Sequence, residues 1–354
     1  MQTTISDAVK IFVPAVTAFL VGLAITPVVT HFLYKWRLWK KTSVAKTTDG
    51  RDAVISSKLH GDEVRKTPRM GGIIVWGSVL LTTLLMAGFA YVLANDTTIK
   101  LSFLSRNQTW LPLFTLILAS LFGLIDDALV VAGGGTFIGG GLSLRLRLLI
   151  VFVLSTIGAW WFYAKLGVSS ISVPFDGVLS LGIFFIPFFI ITMIAVYSGG
   201  IIDGVDGLAG GVFIMMFTAY AIIAYSNNQI DLAAFSMVVV GGLLVFLWFN
   251  IPPARFFLSE TGTMGLTTAL TVIAFLTGEV LVLPIIAFPL VITSASSIIQ
   301  LASKKLRNGK KVFIVAPLHN HFLAKGWPVG KVTMRYWVFS ALCAVSGVVI
   351  ALIG

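Results

Sequence analysis

Residues 232–249 read Leu-Ala-Ala-Phe-Ser-Met-Val-Val-Val-Gly-Gly-Leu-Leu-Val-Phe-Leu-Trp-Phe, and none of these side chains is charged. A helix that crosses the hydrocarbon core of a bilayer needs about 20 predominantly apolar residues. Lipid offers backbone N–H and C=O groups no hydrogen-bond partner, so such a run must be helical. We therefore predict that this stretch is a membrane-spanning helix and that it decides the fold class.

Nine other apolar runs resemble this one. The ten runs that we predict as spans are residues 11–34, 71–94, 110–125, 148–164, 179–197, 208–225, 232–249, 263–277, 280–301 and 334–353. The chain of 354 residues is 57% hydrophobic and only 11% charged, with a mean hydropathy of +0.98. A soluble domain is about a quarter charged, so this composition excludes a soluble fold. The sequence predicts an all-α polytopic membrane protein with one integral domain, residues 1–354.

The distribution of Lys and Arg orients these spans. If the connections alternate between two sides, 21 of the 25 Lys and Arg fall on one side, in residues 35–69, 126–147, 198–207, 250–262 and 302–335. Because Lys and Arg accumulate in cytoplasmic loops, we predict that this side is cytoplasmic and that both termini are extracytoplasmic. The net charge of +11 is then mostly topogenic, which favours membrane lipids over nucleic acid as partners.

Side chains suited to chemistry share the predicted cytoplasmic face. They are Asp126, Asp127, Asp203, Asp206, Glu260, His319 and His321. These residues come from separate loops that return to one membrane surface. Such a gathering is typical of an active site at that surface.

The first motif is Phe122-Gly-Leu-Ile-Asp126-Asp127, at the cytoplasmic end of an apolar run. Adjacent carboxylates repel each other and attract a divalent cation or a proton. The pattern indicates a site for Mg²⁺ and phosphate. The alternative is a pair of acids that end a helix in water, because acids at a membrane boundary need not be functional.

The second motif is glycine-rich and runs from Gly199 to Gly211, with Asp203 and Asp206 inside it. Glycines permit close approach of the backbone, so that free amides can hold a phosphate or the edge of a base. The two acids suit contact with an ion or a ribose. The alternative is a glycine-rich turn in which an Asp caps a helix.

The third motif runs from Asn250 to Thr263, and its two prolines end the preceding helix. Glu260 supplies a third hard oxygen ligand, Arg255 a clamp for phosphate, and Phe257 a plane on which a base can stack. The alternative is that Arg255 is a topogenic residue and that the aromatic side chains are interfacial anchors.

The fourth motif is a basic loop from Lys304 to Phe322, which ends in His319-Asn-His321. Its cations can hold a pyrophosphate or anionic lipid headgroups. Two histidines without a cysteine suit phosphate contact or proton transfer better than zinc. The alternative is an ordinary basic cytoplasmic loop.

Together and in this order, the motifs resemble the phospho-N-acetylmuramoyl-pentapeptide-transferase family of polyprenyl-phosphate N-acetylhexosamine-1-phosphate transferases. The resemblance covers nearly the whole chain, from Thr67-Pro-Arg-Met-Gly-Gly to Trp327-Pro. It implies ten helices and a Mg²⁺-dependent site on the cytoplasmic face of the bacterial inner membrane. The implied reaction joins phospho-MurNAc-pentapeptide from UDP-MurNAc-pentapeptide to undecaprenyl phosphate, forming lipid I and UMP in peptidoglycan biosynthesis. A homodimer is compatible with the sequence.

The resemblance also implies roles for individual positions. It places the metal and the reacting phosphates at Asp126, Asp127 and Glu260, with His319 beside the phosphates or the sugar. His321 is predicted to be catalytic together with His319. It places the nucleoside at Asp203, Gly204, Val205, Asp206, Asn250, Phe257 and Gln300.

Several positions depart from the family pattern. Near the third motif, Glu260 stands where the family has Asp, and Ser259 stands where it has Gly. Gly200 replaces an Asn of the family pattern, and Val130 replaces a Lys. In the terminal loop, Asn320 replaces the middle His, and Leu323 replaces an acid. Because Val130 carries no charge, we expect the missing cation to come from Arg145 or Arg147.

Two other functions are compatible with parts of the pattern. A transferase for UDP-GlcNAc or another UDP-sugar is disfavoured by the terminal loop, although the changes at Asn320 and Leu323 leave it open. A lipid or solute transporter would place ionisable groups near the bilayer midplane on broken helices. Here the carboxylates end helices at one face, which favours an enzyme.

Overall fold

Long helices make up most of the protein, in a computed structural model that describes residues 2–39, 66–133 and 140–354. In chain order the helices are α1 (Gln2–Lys35), α2 (Gly72–Leu93), α3 (Asp96–Leu101), α4 (Trp110–Ala132), α5 (Leu144–Trp160), α6 (Phe185–Ser198), α7 (Leu208–Ser226), α8 (Ile230–Asn250), α9 (Ser259–Leu276), α10 (Leu283–Ile286), α11 (Phe288–Leu306), α12 (Leu318–Ala324) and α13 (Val329–Ile353). Most of the first predicted cytoplasmic connection, residues 40–65, lies outside the described residues, as do residues 134–139.

Eight helical stretches among the described residues are long and apolar enough to cross a membrane. They contain α1, α2, α4, α5, α6, α7, α8 and α13. Each corresponds to one predicted apolar run, which confirms a mostly helical, polytopic membrane protein. Exposed apolar side chains such as Leu20 on α1 and Leu342 on α13 face outward, as expected of surfaces that contact lipid.

The two remaining predicted spans form helices outside that set of eight. α9 carries the hydroxyl side chains of Ser259, Thr261, Thr263, Thr267, Thr268 and Thr271, which lower its hydropathy, yet nearly all of it is buried within the protein. The ninth predicted run is broken at Ala287 into α10 and α11. Proline lies in the first turn of each of these helices, at Pro284 and Pro289, because proline cannot continue a preceding helix but starts a new one well.

α9 lies at the centre of the fold and packs most extensively against α4. The approach is close because Gly123 has no side chain: a Cβ atom there would lie 2.1 Å from the carbonyl oxygen of Glu260. The start of α2 is equally close, since a Cβ atom on Gly72 would lie 2.3 Å from the backbone nitrogen of Gly262. The first turn of α9 is therefore held against the end of α4 and the start of α2.

A short antiparallel hairpin is a departure from the all-α prediction. β1 (Ser170–Val173) pairs with β2 (Gly177–Ser180), with Ser170 opposite Ser180. The amide of Ser172 donates to the carbonyl of Gly278, just beyond the end of α9. The segment is too short for a helical apolar stripe, and its alternating Ile and Val side chains suit a strand. The hairpin thus covers the end of α9 opposite Glu260.

Both chain ends lie at that same end of the molecule. Lys10 forms an ion pair with Asp231, in the first turn of α8, and the amide of Phe175 in the hairpin donates to the carbonyl of Gly354. The acidic motifs lie at the other ends of these helices. The structure therefore separates the chain ends from the polar cluster along the helix axes.

Candidate active site

Asp127 joins three segments at the end of α4. Its side chain is fully buried, and both of its oxygens accept hydrogen bonds. Arg69 Nε and Nη2 lie 2.9 and 2.8 Å from Oδ1, whereas the amide and hydroxyl of Thr261 donate to Oδ2 at 2.9 and 2.6 Å. Burial lowers the pKa of Arg69, but the neighbouring carboxylates, chiefly Asp127, outweigh it and raise that pKa overall. The ion pair thus joins the buried carboxylate of Asp127 to the partly exposed guanidinium of Arg69.

Asp126 is also fully buried, but its two oxygens differ. Oδ1 accepts a hydrogen bond from the amide of Leu142 at 2.6 Å and lies 3.2 Å from Nε of Arg147. Gly141 makes room for this, because a Cβ atom there would lie 2.8 Å from Oδ1. Oδ2 has no hydrogen-bond partner among the described residues. A buried carboxylate oxygen without a partner is costly, so it indicates a ligand position.

Arg147 connects Asp126 to Glu260. Nη1 of its guanidinium lies 2.8 Å from Oε1 of Glu260, which occupies the first turn of α9. The helix dipole favours a negative charge there by about 0.3–1 kcal/mol. Of the two arginines expected to replace the missing lysine at Val130, Arg147 reaches the carboxylates, and Arg145 is exposed.

The glycine-rich loop packs against the start of α9. Oδ2 of Asp203 accepts a hydrogen bond from the amide of Ser259 at 2.6 Å. Burial raises the pKa of Asp203 to about 6, although this hydrogen bond and the charge of Arg69 lower it. Asp206 accepts from the amide of Ala254 at 3.0 Å and is thereby fixed to the proline segment after α8.

A cavity of about 360 Å³ opens between these segments. Its wall includes Arg69, Gly200, Asp203, Gly204, Val205, Asp206, Phe257, Ser259, Glu260, Thr263, Leu323 and Val329. One part of the wall carries carboxylates and a guanidinium, and another carries the aromatic ring of Phe257 beside aliphatic side chains. A polar ligand with a flat ring matches this arrangement.

The predicted site residues fall into three groups around the cavity. Those that line it are Asp203, Gly204, Val205, Asp206, Phe257 and Glu260. Those that lie directly behind its wall are Asp126, Asp127, Asn250 and His319. Asn250 accepts from the amide of Gly207 at 2.9 Å and donates to the carbonyl of Phe256 at 2.7 Å, so it clamps two wall segments together. His319 is buried, and its Nε2 would lie 2.6 Å from a Cβ atom on Gly204.

The third group, Arg255, Gln300 and His321, does not line the cavity in the described structure. Arg255 is exposed, with its guanidinium 5.6 Å from the ring centre of Phe249.

The side chains of Gln300 and His321 hold backbone. Gln300 accepts from the amides of Val312 and Phe313, each at 3.0 Å. His321 accepts from the amide of Ile314 at 3.2 Å, and burial together with the charge of Lys325 lowers its pKa. Their substrate roles stay predictions.

Two contributors were not predicted as site residues. Arg69 stands in Thr67-Pro-Arg-Met-Gly-Gly, where the family pattern has Thr, and that departure was a usable signal. Thr261 offers no such signal, because its role depends on how close α9 approaches α4.

The ligand chemistry of the cluster fits a divalent cation. Counting described residues only, Asp126, Asp127, Asp203 and Glu260 face Arg69 and Arg147, which leaves a formal excess of two negative charges. Hard carboxylate oxygens are the ligands that Mg²⁺ prefers. As arranged, no three acidic, His or Cys side chains of the described part converge as a ready metal cage. An ion would therefore bind with local rearrangement.

The chain is similar to a known family and to several named transferases. A family model described as Glycosyl transferase family 4 matches residues 109–278. The chain is 33% identical to a phospho-N-acetylmuramoyl-pentapeptide-transferase of Lactiplantibacillus plantarum over 283 residues, which cover 80% of this chain and 83% of the relative. It is 32% identical to the protein of that name from a Ruegeria species over 303 residues, 79% of each chain. With the one from Clostridium perfringens it shares 29% identity over 340 residues, 95% of this chain and 96% of the relative.

Proposed function

The chain belongs to the phospho-N-acetylmuramoyl-pentapeptide-transferase family, and on this premise we propose that it transfers phospho-MurNAc-pentapeptide from UDP-MurNAc-pentapeptide to undecaprenyl phosphate. The products are lipid I, for peptidoglycan biosynthesis, and UMP. One observation carries the proposal: a buried cluster of carboxylates and arginines borders a polar cavity of about 360 Å³ at one end of a membrane helix bundle.

The nucleotide sugar is proposed to occupy the cavity. The backbone of Asp203–Asp206 and the ring of Phe257 line it and suit the nucleoside, through hydrogen bonds and stacking. Arg69 lines the same cavity and can attract the diphosphate while it remains paired with Asp127. The net result is that the substrate's phosphates lie beside the start of α9.

The lipid acceptor is proposed to lie in an apolar groove of about 440 Å³. α6 forms one wall with Phe188, Ile191 and Ala195, and the broken α10–α11 segment forms the other. Ser198 belongs to the groove, and Gly200 belongs to the cavity, so only one residue separates them along the chain. A polyprenyl tail in the groove would therefore bring its phosphate to the cavity, where it can attack the diphosphate and displace UMP.

The metal is proposed to be Mg²⁺, held by Glu260 and Asp126, two of the three acids that the sequence assigned to it. When bound, it would supply positive charge to the diphosphate and to the leaving UMP. Asp126 Oδ2 is the oxygen best suited to bind it, because both oxygens of Asp127 already accept hydrogen bonds. Asp127 would act mainly by holding Arg69 and the first turn of α9 in place.

The proposed setting is the bacterial inner membrane. We place ten spans in it, with α9 and α10–α11 added to the eight apolar helices, and the cavity on the cytoplasmic side. Both termini would then be extracytoplasmic, because the chain ends lie at the opposite end of the bundle from the cavity. We also propose that the protein forms a homodimer in this membrane.

The test is a transfer assay with purified protein, radiolabelled UDP-MurNAc-pentapeptide and undecaprenyl phosphate. We expect labelled lipid product that requires Mg²⁺ and disappears with a chelator. Glu260→Gln should lower the rate on the order of a hundredfold, since it removes a charged group from the reacting phosphates. Full turnover in excess chelator would contradict the metal.

UDP-GlcNAc is the competing donor in the same assay. Leu323 lines the cavity where the family has an acid, which is the observation that favours another UDP-sugar. Label transfer from UDP-GlcNAc, but not from UDP-MurNAc-pentapeptide, would replace the proposed substrate with that one.

A further inference from the structure

The guanidinium of Arg147 lies between two carboxylates of the site. Its Nε is 3.2 Å from Oδ1 of Asp126, and its Nη1 is 2.8 Å from Oε1 of Glu260. A hydrogen bond of 3.1 Å from Nε to the carbonyl of Leu142 holds the base of the same group. One cation thus satisfies two acids that belong to different helices.

The second arginine of the cluster is placed differently. Arg69 pairs with Asp127, whose other oxygen is taken by Thr261, so that carboxylate has no oxygen left for an ion. Asp126, by contrast, keeps Oδ2 without a partner in the described structure, and Oε2 of Glu260 receives a long contact of 3.5 Å from the hydroxyl of Thr263. Each of the two acids that Arg147 bridges therefore has a second oxygen that can bind an ion.

A divalent cation on the other oxygens of these two carboxylates would lie close to the guanidinium, and the two positive charges would repel each other. We propose that Arg147 is an internal counter-ion that a divalent cation displaces, so that metal binding and movement of Arg147 are one event. This inference rests on the metal in the proposed function. Without metal, Arg147 keeps Asp126 and Glu260 from repelling each other.

The guanidinium of Arg147 would face the cavity after displacement. Glu260 lines the cavity, so an Arg147 side chain that leaves Glu260 faces the space proposed for the substrate's phosphates. A phosphate oxygen can replace the carboxylate as its hydrogen-bond acceptor. Arg147 therefore becomes available to the substrate's phosphates only after the metal has bound.

The test measures Mn²⁺ binding by electron paramagnetic resonance, with purified full-length protein in detergent and without substrate. Arg147→Ala removes the competing charge, so we expect it to bind Mn²⁺ at least tenfold more tightly than the unmodified protein. Arg145→Ala is the matched control, because Arg145 lies two residues away on the same helix and is exposed. Its Mn²⁺ affinity should be unchanged.

Thermal unfolding is a second measurement, which shows whether the alanine variant is folded. In chelator, Arg147→Ala should unfold at a lower temperature than the unmodified protein, and Mn²⁺ should restore the midpoint. If that variant does not fold, Arg147→Met decides, because methionine removes the competing positive charge but keeps much of the side-chain volume, and this variant should bind Mn²⁺ more tightly than the unmodified protein does.

Equal or weaker Mn²⁺ binding by the Arg147 variants, with clear binding by the unmodified protein, would overturn the displacement while leaving the metal in place. Absence of Mn²⁺ binding in every protein would overturn the proposed metal as well. The two failures are therefore distinguishable in one experiment.

Discussion

At the scale of single residues, Ser259 is the most informative position outside the charged cluster. Its backbone has a φ of +57°, in the left-handed region that favours glycine, and the family pattern has Gly there. The surrounding contacts hold this conformation. The amide of Ser259 donates a hydrogen bond to Asp203, and the next residue, Glu260, pairs with Arg147. Ser259 Oγ is buried and, within the described part of the chain, has no hydrogen-bond partner.

We predict that Ser259→Gly stabilises the protein. A non-glycine residue in this region costs about 1–2 kcal/mol, and glycine loses about 0.5–1 kcal/mol more backbone entropy on folding than alanine. The net gain should be about 0.5–1 kcal/mol, measured as a higher midpoint of thermal unfolding in detergent. Ser259→Ala removes the same hydroxyl but keeps Cβ, so the difference between the variants reports backbone strain less the entropy cost of glycine. A midpoint for Ser259→Gly no higher than that for Ser259→Ala would contradict the predicted gain.

At the scale of helices, the contact between α4 and α9 sets the geometry of the site. α4 carries Asp126 and Asp127, and α9 carries Glu260 and Thr261, so any increase in their separation moves these groups apart. Of the glycines in this pair of helices, Gly123 is the one whose Cβ atom would come closest to the backbone of the other helix. The site therefore depends on a position that carries no chemistry.

We predict that Gly123→Ala lowers both stability and transfer rate. The new methyl group would lie 2.1 Å from backbone, which cannot move aside as a flexible side chain can. Overpacking of this kind costs about 1–3 kcal/mol. Gly88→Ala on α2 is the matched control, because its Cβ would meet no atom within 4 Å. The control should be neutral or stabilised by up to about 1 kcal/mol. Thermal unfolding and the transfer assay together check the result, and a fully active, stable Gly123→Ala would contradict it.

At the scale of the whole molecule, the opposite placement of the cavity and the chain ends makes the proposed topology testable. Cys343 is the only cysteine, so Cys343→Ala provides a background without thiols. Thr97 and Lys310 are both exposed, and the proposal puts them on opposite sides of the membrane.

We predict that Thr97→Cys in that background is labelled in intact spheroplasts by a membrane-impermeant maleimide. Lys310→Cys should be labelled only after permeabilisation, because positive charges accumulate on the cytoplasmic side. Labelling of Lys310→Cys in intact spheroplasts would invert the topology. A variant with neither new cysteine reports background labelling.

The sequence by itself determined that lipid surrounds most of this protein and that its fold is helical. Each apolar run must form a helix for reasons that act on that run alone, because lipid cannot satisfy backbone groups. The same local character made the motifs readable: Asp126 and Asp127 are adjacent, and Asp203 and Asp206 lie in one glycine-rich loop. The eight apolar helices follow from such local patterns.

Only the tertiary structure decided which charged groups meet. Arg147 and Glu260 are 113 residues apart, and their contact depends on how α5 packs beside α9, which no local pattern encodes. For the same reason only the fold shows that Gln300, predicted beside the nucleoside, accepts hydrogen bonds from the amides of Val312 and Phe313. Burial also comes from packing: α9 is rich in hydroxyl side chains, yet it lies at the centre because glycines let its neighbours approach. Contacts between residues distant in sequence are set by the whole arrangement of helices, and that arrangement is what turns scattered acids into one site.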